Sequence, residues 1–388
     1  MQELNSIYSD GIYDTIHGME TIKAYNMQGM QIQKLRKVLY KILEETKKYD
    51  VNIAVTLACI LAVTYIPMVI TFIFGAYLVN IGEIEVSLLF GYSQLIGPIS
   101  SPIINLFSST TAMKNACQSM KRLDTVMNME EERKGGCKLV PEGKMAVVFH
   151  KVSFGYDINK KIFRKLSFNI KRGQCIGIVG NSGGGKTTIV KLICGLYEID
   201  EGQIRIFGSD IKDLDIDCWR KNIAYISQNA YILPGTIAEN VRCGNNNITD
   251  EEVKIALSQA GLKEYVDNLP NGIHTVLHEG GKNLSGGQRQ KIALARIFLH
   301  KALFYIFDEP TASMDISSEK EVITKVHELI RQNDAAGIII SHNFEIIKKC
   351  DEVWFVKNGI LRETGTFEEL IRQKGFFYNQ FYMQGTKI

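Results

Sequence analysis

The sequence predicts an α-helical membrane segment followed by an α/β domain. Two long runs without charged residues lie in the first third of the 388-residue chain. Short β-rich runs alternate with helical segments in the remainder. A glycine-rich loop stands at 180–188 between an apolar strand and a helix, an order typical of α/β domains. A chain of this length also fits two domains better than one.

The two uncharged runs are long enough to cross a bilayer. They extend from 51 to 82 and from 86 to 113, and each exceeds the roughly 20 apolar residues that span ~30 Å of hydrocarbon. We therefore predict transmembrane spans over 51–80 and 86–110. A buried helix of a soluble protein is the alternative, and the length of both runs disfavours it.

The charges around these runs predict their orientation. Lysines and arginines precede the first run and follow the second, whereas the joining turn carries only the acids Glu83 and Glu85. Both outer ends are expected in the cytoplasm and the turn outside. Helically spaced apolar residues predict cytosolic extensions over 1–50 and 111–128. Neither span has an acidic or basic residue in its middle, which argues against a proton relay.

Composition excludes some classes of protein. The net charge of +3 comes without a basic stripe, so we expect no nucleic-acid partner. Eight cysteines show neither a CxxC pair nor the spacing of a metal site, and we interpret them as small apolar residues in a reducing compartment. The first residues do not resemble a secretory signal.

A change in composition marks the domain boundary. The run EERKGG, followed by Pro141 and Gly143, predicts a linker over 129–144. The membrane part then occupies 1–128, and the α/β domain occupies 145–388.

The glycine-rich loop matches a phosphate-binding pattern. GNSGGGKT at Gly180–Thr187 fits GxxxxGK[ST], follows the apolar strand 175–180 and precedes the helical run 188–196. Backbone N–H groups and the helix dipole can then cradle phosphates, with Lys186 on the β- and γ-oxygens and Thr187 on magnesium. A flexible glycine turn is the alternative. The predicted phosphate-loop residues are Gly180, Asn181, Ser182, Gly183, Gly184, Gly185, Lys186, Thr187 and Thr188.

A second motif, FYIFDEPT at Phe304–Thr311, is an apolar strand that ends in two acids. Buried carboxylates are costly without a compensating partner, and a metal ion and a water supply one. Asp308 is predicted to hold magnesium, and Glu309 to polarise the attacking water. A helix N-cap is the alternative role for these acids.

A third motif, LSGGQ at Leu284–Gln288, is followed by Arg289 and Gln290 and lies downstream of the phosphate loop. This pairing resembles the ATP-binding cassette (ABC) family, and the resemblance covers the chain from about Leu139 to its end. It implies an α/β P-loop NTPase fold with a helical subdomain, ATP and Mg²⁺ as cofactors, and ATP hydrolysis.

The same resemblance implies roles for residues that the sequence alone would assign to the core. Tyr156 is expected to stack on adenine, Gln228 to contact magnesium and the water, and His342 to contact the γ-phosphate. Gln228, Glu309 and His342 thus form the expected catalytic set, and Thr187, Gln228 and Asp308 the expected magnesium ligands. Ser313, Met314 and Asp315 are expected in the loop after the second acid.

The LSGGQ motif also has a physical interpretation. Ser285, Gly286, Gly287 and Gln288 precede the helical run 290–299, so bare N–H donors and a positive dipole end face an anion. In the family this anion is the γ-phosphate held by the opposite subunit. One cassette per chain therefore implies a second half-transporter, identical or different.

Two residues depart from the family pattern. His278 stands before Glu279 where the family generally has glycine, in a segment that communicates with the partner's membrane domain, and Met314 replaces a commoner leucine. Hydrolysis should survive both changes, and the departure at His278 puts the tightness of coupling in question.

The membrane part resembles an ABC exporter less specifically. The segment Gly11–Gln28 is similar to the cytosolic end of the fourth helix, and the spans are similar to the fifth and sixth. About four further helices would then be expected before Met1. The alternatives are that the sequence is a fragment, that the product is truncated, or that another polypeptide supplies these helices. The resemblance implies an exporter of drugs, lipids or peptides in the plasma membrane, in contact with its lipids, with a cytoplasmic nucleotide-binding domain. A non-transporting remnant and a soluble mechanical ATPase are the alternatives.

Overall fold

The computed structural model describes residues 2–129, 131–141, 143–157, 160–310 and 316–385. The chain divides into two compact units, Met1–Glu131 and Glu132–Ile388. Ser313, Met314 and Asp315 lie outside the described residues.

The first unit is helical. Its helices are α1 (Gln2–His17), α2 (Met19–Ala24), α3 (Gln28–Asn80) and α4 (Val86–Met127). Because a helix rises 1.5 Å per residue, the 53 residues of α3 extend about 80 Å.

One helix of the described chain, α3, is long and apolar enough to cross a membrane. Its apolar side chains are largely uncovered within the unit; Phe74, for example, is 61% exposed. The second predicted span lies in α4 and stays a prediction.

The predicted cytosolic extension over 1–50 is broken into three helices. Gly18 separates α1 from α2, and Asn26 takes a left-handed conformation, φ 52°, before α3 begins. Gly75 lets α3 approach α4 closely, because a Cβ there would collide with the side chain of Leu89.

The second unit contains two main sheets. The antiparallel sheet has the order β2-β1-β4-β5, formed by β1 (Met145–Phe154), β2 (Phe163–Lys171), β4 (Glu201–Ile206) and β5 (Ser209–Asp210). The six-stranded sheet has the order β12-β11-β3-β10-β9-β6. Its strands are β3 (Cys175–Val179), β6 (Ile223–Ile226), β9 (Phe304–Asp308), β10 (Ala336–Ile340), β11 (Glu352–Lys357) and β12 (Ile360–Gly365). All of its neighbours pair in parallel except β11 and β12.

Helices and one short hairpin complete this unit. The helices are α5 (Lys186–Ile193), α6 (Ile216–Arg220), α7 (Ile237–Arg242), α8 (Asp250–Gln259), α9 (Lys263–Asp267), α10 (Gly286–Leu299), α11 (Ile316–Gln332), α12 (Phe344–Ile347), α13 (Phe367–Gln373) and α14 (Phe376–Gly385). The hairpin pairs β7 (Gly235–Thr236) with β8 (Val276–Leu277). Helices α7, α8 and α10 pack on one another and form a helical subdomain.

The central strands are buried on both faces. Along β9, Phe304 and Ile306 pack into one hydrophobic cluster, and Tyr305 and Phe307 pack into another on the opposite face. This alternation follows from the period of two along a strand.

The register of the parallel sheet positions the candidate site. Ile340 pairs with Asp308 and with Ile178, and Ile226 pairs with Phe307. The ends of β3, β6, β9 and β10 therefore meet at one edge of the sheet, so the segments that follow these strands are neighbours in space. Open parallel sheets bind ligands at this carboxyl edge.

Candidate nucleotide-binding site

The glycine-rich loop connects β3 to α5 in a conformation that requires glycine. Gly180 has φ 152°, and a Cβ there would collide with the carbonyl oxygen of Val356. Gly185 has φ 99°, and its Cβ would lie 2.7 Å from the ring of Phe163. The helix begins at Lys186, two residues before the predicted run. The loop therefore presents its backbone at the N-terminus of a helix, as a phosphate cradle requires.

Lys186 is folded back into this loop. Its ammonium donates hydrogen bonds to the carbonyl oxygens of Gly180, at 2.7 Å, and Asn181, at 3.0 Å. The side chain is buried. Burial lowers the pKa of Lys186, and the negative charges of Glu309 and Asp308 oppose that shift. A phosphate group would give this cation the compensating charge that carbonyl oxygens supply only in part.

Thr187 and Asp308 are in direct contact. The Thr187 hydroxyl donates to a carboxylate oxygen of Asp308 at 2.9 Å. Asp308 is only 2% exposed, and burial raises its pKa, while the hydrogen bond from Thr187 opposes the shift. Two of the three groups predicted to hold magnesium, Thr187 and Asp308, thus lie side by side.

Glu309 lies between Gln228 and His342. The Gln228 amide nitrogen donates to one carboxylate oxygen at 3.0 Å, and Nε2 of His342 lies 3.1 Å from the other. The Glu309 backbone is left-handed, with φ 52°, and its N–H donates to the carbonyl oxygen of Ile340. A non-glycine residue seldom adopts this conformation, and Glu309 is one of nine that do so in the described part of the chain.

Tyr156 lies beside Thr188, the last residue of the predicted phosphate loop. Its hydroxyl is 3.3 Å from the hydroxyl of Thr188, and its ring is 47% exposed. The ammonium of Lys191 sits 5.5 Å from the ring centroid, and Tyr197 packs edge-on at 5.0 Å. Tyr156 is therefore held in place by its neighbours while nearly half of the residue stays exposed.

These groups line one cavity of about 290 Å³. Its lining comprises Tyr156, Ile162, Ser182, Gly183, Gly184, Gly185, Lys186, Thr187, Thr188, Gln228, Asp308, Glu309 and His342. The structure brings together the predicted aromatic residue, most of the phosphate loop, both acids, the glutamine and the histidine. Gly180 and Asn181 contact the cavity indirectly, through the ammonium of Lys186.

The LSGGQ residues do not line this cavity. Ser285 caps α10, where its hydroxyl accepts from the backbone N–H of Gln288 at 3.2 Å, and the Gln288 side chain accepts from the N–H of Ser285 at 2.8 Å. The N–H groups of Gly286 and Gly287 have no acceptor within the described part of the chain. The motif therefore presents N–H donors without an acceptor, and these donors lie outside the lining of this chain's own cavity.

Sequence reasoning missed three contributors to the site. Ile162 lines the cavity beside the loop, Lys191 lies over Tyr156, and the buried Gln290 donates its amide to the backbone carbonyl of Glu309 at 3.3 Å. Lys191 had a usable signal, since it follows Lys186 on the same helix. Nothing local in the sequence points to Ile162.

Two family models match the chain. The model described as "ABC transporter transmembrane region" matches residues 3–103, and the model described as "ABC transporter" matches residues 163–312. The second range contains the phosphate loop, both acids and the LSGGQ motif.

Curated relatives extend the similarity over almost the entire chain. An ATP-dependent lipid A-core flippase of Desulfotalea psychrophila is 30% identical over 389 residues, which cover 99% of this chain and 67% of the flippase. An uncharacterized ABC transporter ATP-binding protein of Bacillus subtilis, YfiC, is 33% identical over 311 residues, which cover 80% of this chain and 50% of that protein. The chain thus spans about half to two thirds of the length of these relatives.

A solved structure shares the fold. A bacterial Atm1-family ABC exporter with ATP bound superposes with a TM-score of 0.88 at 23% identity, over 98% of this chain and 67% of the exporter chain. The predicted fold class, a helical transmembrane segment followed by an ABC-type α/β domain, is confirmed. Together with the flippase relative, the two family matches show that the chain belongs to the ATP-binding cassette (ABC) transporter family.

Proposed function

We propose that this chain binds ATP in the cavity, hydrolyses it with a second cassette, and uses the cycle to drive export across a membrane. The observation that carries the proposal is the placement of Glu309. Its carboxylate is held between Gln228 and His342 at the same sheet edge as the phosphate loop. That arrangement places an acceptor for a proton beside a cradle for phosphates.

The phosphate loop supplies the binding energy. Backbone N–H groups of the loop and the ammonium of Lys186 would bind the anionic oxygens of the phosphates, and the Tyr156 ring would offer a stacking surface for adenine. The carbonyl contacts of Lys186 hold the ammonium inside the loop. A group held in position in this way loses little conformational freedom on binding phosphate.

The residues at the metal position fit magnesium. Thr187, Asp308 and Gln228 offer hydroxyl, carboxylate and amide oxygens, which are the hard ligands that Mg²⁺ prefers. Gln228 uses its amide nitrogen on Glu309, so its amide oxygen is left for the ion. When bound, magnesium would neutralise charge on the β- and γ-phosphate oxygens.

Glu309 would act as the general base of hydrolysis. A water positioned between Glu309 and the γ-phosphate gives its proton to the carboxylate as its oxygen bonds to phosphorus and the bond to the β-phosphate oxygen breaks. A carboxylate has about four acceptor positions, so the contacts to Gln228 and His342 leave room for that water. His342 holds Glu309 and would donate to a γ-phosphate oxygen.

The second cassette would complete each site. The free N–H groups at the start of α10 and the positive end of this 14-residue helix are suited to a γ-phosphate. Because they do not line their own chain's cavity, the phosphate they bind belongs to a second half-transporter, identical or different. Closure of the pair on two ATP molecules and its reopening after hydrolysis would move the helices of the first unit.

The cargo is a drug, lipid or peptide, and the protein lies among the lipids of the plasma membrane with its nucleotide-binding domain in the cytoplasm. No nucleic acid takes part. The matched transmembrane region and the apolar surface of α3 support this placement. Retention of the protein in carbonate-washed membranes would support it, and release into the supernatant would support a soluble ATPase instead. Protease digestion of inside-out vesicles tests the cytoplasmic position of the cassette.

A mixed dimer tests the composite site. Lys186→Ala disables the phosphate loop, and Ser285→Ala disables the capping helix. In a dimer that contains one chain of each kind, both lesions fall in one site and the other site is intact. Chains with two different affinity tags, purified in tandem, should therefore regain ATP turnover that neither variant has alone. A mixed dimer as inactive as both parents would contradict the composite site.

A further inference from the structure

Three side chains from distant parts of the sequence meet inside the second unit. Cys175 opens β3, His327 lies on α11, and Cys350 follows α12. Their ligand atoms, one from each side chain, all lie within 4.8 Å of one another. We call this group the Cys–His cluster. It has no part in the nucleotide site described above.

The cluster is enclosed by the apolar core. Cys175 is 2% exposed and Cys350 is 7% exposed, and both belong to the same hydrophobic cluster as Val326 and Ile330 on α11. The space beside them is restricted, because a Cβ at Gly177 would lie 3.1 Å from the sulfur of Cys350. The thiol of Cys350 has a weak contact of 3.9 Å to the carbonyl oxygen of Ile346. It also neighbours the thiol of Cys175, which in turn lies near the imidazole of His327.

The histidine supplies a second, independent observation. Nε2 of His327 is buried and makes no hydrogen bond of good geometry within the described part of the chain, although the imidazole lies close enough to Cys175 to oppose the rise in that thiol's pKa. Burying a polar nitrogen without a partner is costly, and native structures rarely leave one unexplained. A ligand shared with the two sulfurs would satisfy it.

We propose that the Cys–His cluster is a zinc site. Zinc takes thiolate and imidazole ligands at about 2.3 Å and about 2.0–2.1 Å, so its tetrahedral ligand atoms are separated by somewhat less than 4 Å. Side-chain rotation of about 1 Å closes the present spacing to that value. Two thiolates and one neutral imidazole also cancel the charge of Zn²⁺, which a site in an apolar core requires.

Binding would replace two protons with one metal ion. In the metal-free protein, the neighbouring thiol of Cys350 and burial raise the pKa of Cys175 well above its ordinary value. Zinc binds thiolates, so its binding must displace the protons of these thiols, which makes its affinity dependent on pH. The fourth position of the ion is left for water or another small ligand.

The site would join elements that carry the nucleotide site at their other ends. The phosphate loop begins about 16 Å from Cys175, because β3 joins the two and a strand rises about 3.3 Å per residue. Helix α11 follows the segment after Glu309, and α12 follows His342. His327 lies eleven residues into α11, also about 16 Å from its start. Zinc would therefore link β3, α11 and the segment after α12 at points away from the nucleotide site.

Metal content and cobalt spectroscopy test the proposal on the complete chain in detergent. Purified in the presence of zinc and then desalted, the protein should retain about one zinc ion per chain, the stoichiometry of a single three-ligand site. Cobalt, which replaces zinc, should give intense thiolate-to-metal charge-transfer absorption. Zinc should also raise the unfolding temperature, because it binds the folded state preferentially.

Variants separate this site from accidental binding at the exposed cysteines. His327→Gln and Cys350→Ser should lose the metal, the cobalt spectrum and the zinc-dependent thermal shift. Cys194→Ser is the matched control, because Cys194 is also buried, at 5% exposure, but lies in a different hydrophobic cluster. It should retain all three. Fluorescent ATP binding by each variant checks that the second unit is folded.

Three results would overturn the assignment. The first is equal zinc content in wild type and His327→Gln. The second is an intact mass lower by two hydrogens, with Cys175 and Cys350 joined in a peptide map of unreduced protein, which would make the pair a disulfide. The third is a cluster that takes up Cu⁺ but neither zinc nor cobalt. The cobalt spectrum of the wild type requires no variant, so the test does not depend on a variant that folds.

Discussion

Glu309→Gln keeps the shape of the side chain and removes its capacity to take a proton. The contacts of Glu309 indicate that the fold survives this change. A glutamine can accept from the Gln228 amide with its one oxygen and donate its amide N–H to Nε2 of His342 in the tautomer that leaves this nitrogen unprotonated. Both neighbours keep a partner, and the left-handed backbone is no less favourable for glutamine.

The expected loss follows from the role of a positioned base. General base catalysis contributes about 10²–10⁴-fold, which corresponds to about 2.7–5.5 kcal/mol of barrier at about 1.36 kcal/mol per tenfold. ATP affinity should be unchanged or higher, because Glu309 repels the γ-phosphate and makes none of the Lys186 contacts.

Phosphate release at saturating Mg·ATP measures turnover, and a fluorescent ATP analogue measures affinity. Glu251→Gln is the control, because that glutamate lies on α8 with its side chain 81% exposed. It should leave both quantities unchanged. Turnover by Glu309→Gln within about tenfold of wild type, with normal affinity, would remove Glu309 from the role of base.

Four further predictions concern single residues. Lys186→Ala should weaken ATP binding itself, and normal affinity in that variant would contradict the loop assignment. Burial raises the pKa of Asp308 in the folded state. Above that pKa the ionised carboxylate destabilises the fold. The destabilisation disappears below the pKa of Asp in the unfolded chain, near 4. Asp308→Asn should therefore raise the unfolding temperature at pH 7, and this increase should become smaller as the pH falls toward 4. Magnesium-dependent ATP binding should weaken in the same variant. An unfolding temperature equal to or below that of the wild type at pH 7 would refute the stability argument. Tyr156→Ala should lose about 1–3 kcal/mol of ATP binding, the usual stacking contribution of one base, and Tyr156→Phe should lose little; equal losses would assign the effect to the hydroxyl. Ser285→Ala and Thr249→Ala each remove the N-cap of a capping box. Both should lower the free energy of unfolding by a similar amount, about 0.5–2 kcal/mol, but only Ser285→Ala should abolish ATP turnover. Equal turnover in the two variants would limit Ser285 to a structural role.

Much of the nucleotide site could be predicted because its chemistry is local in sequence. The loop from Gly180 and the pair Asp308 and Glu309 each follow a strand, and parallel strands place their carboxyl ends at one edge. Gln228 and His342 were different: only the resemblance to a family indicated them, and the structure places both against Glu309. Their roles as contacts to magnesium and to the γ-phosphate remain predictions.

Other features depend on tertiary packing and have no local pattern. Cys175, His327 and Cys350 are separated by more than a hundred residues in one interval and by an entire helix in the other, so no spacing rule for metal ligands detects them. Our interpretation of the cysteines as apolar fillers rested on spacing alone. The left-handed backbone of Glu309 was also beyond prediction, because it results from the bond to Ile340 and not from the residue type.

The contact between Gln290 and Glu309 has a consequence for the proposed dimer. Gln290 lies in the first turns of α10, the helix proposed to cap the partner's ATP, and its amide donates to the backbone carbonyl of this chain's own Glu309. Whatever shifts that helix also shifts the base at the other nucleotide. The two ATP sites would therefore be coupled through the buried amide of Gln290. Turnover should rise cooperatively with ATP concentration. Each site should change the other's ATP affinity by the same factor.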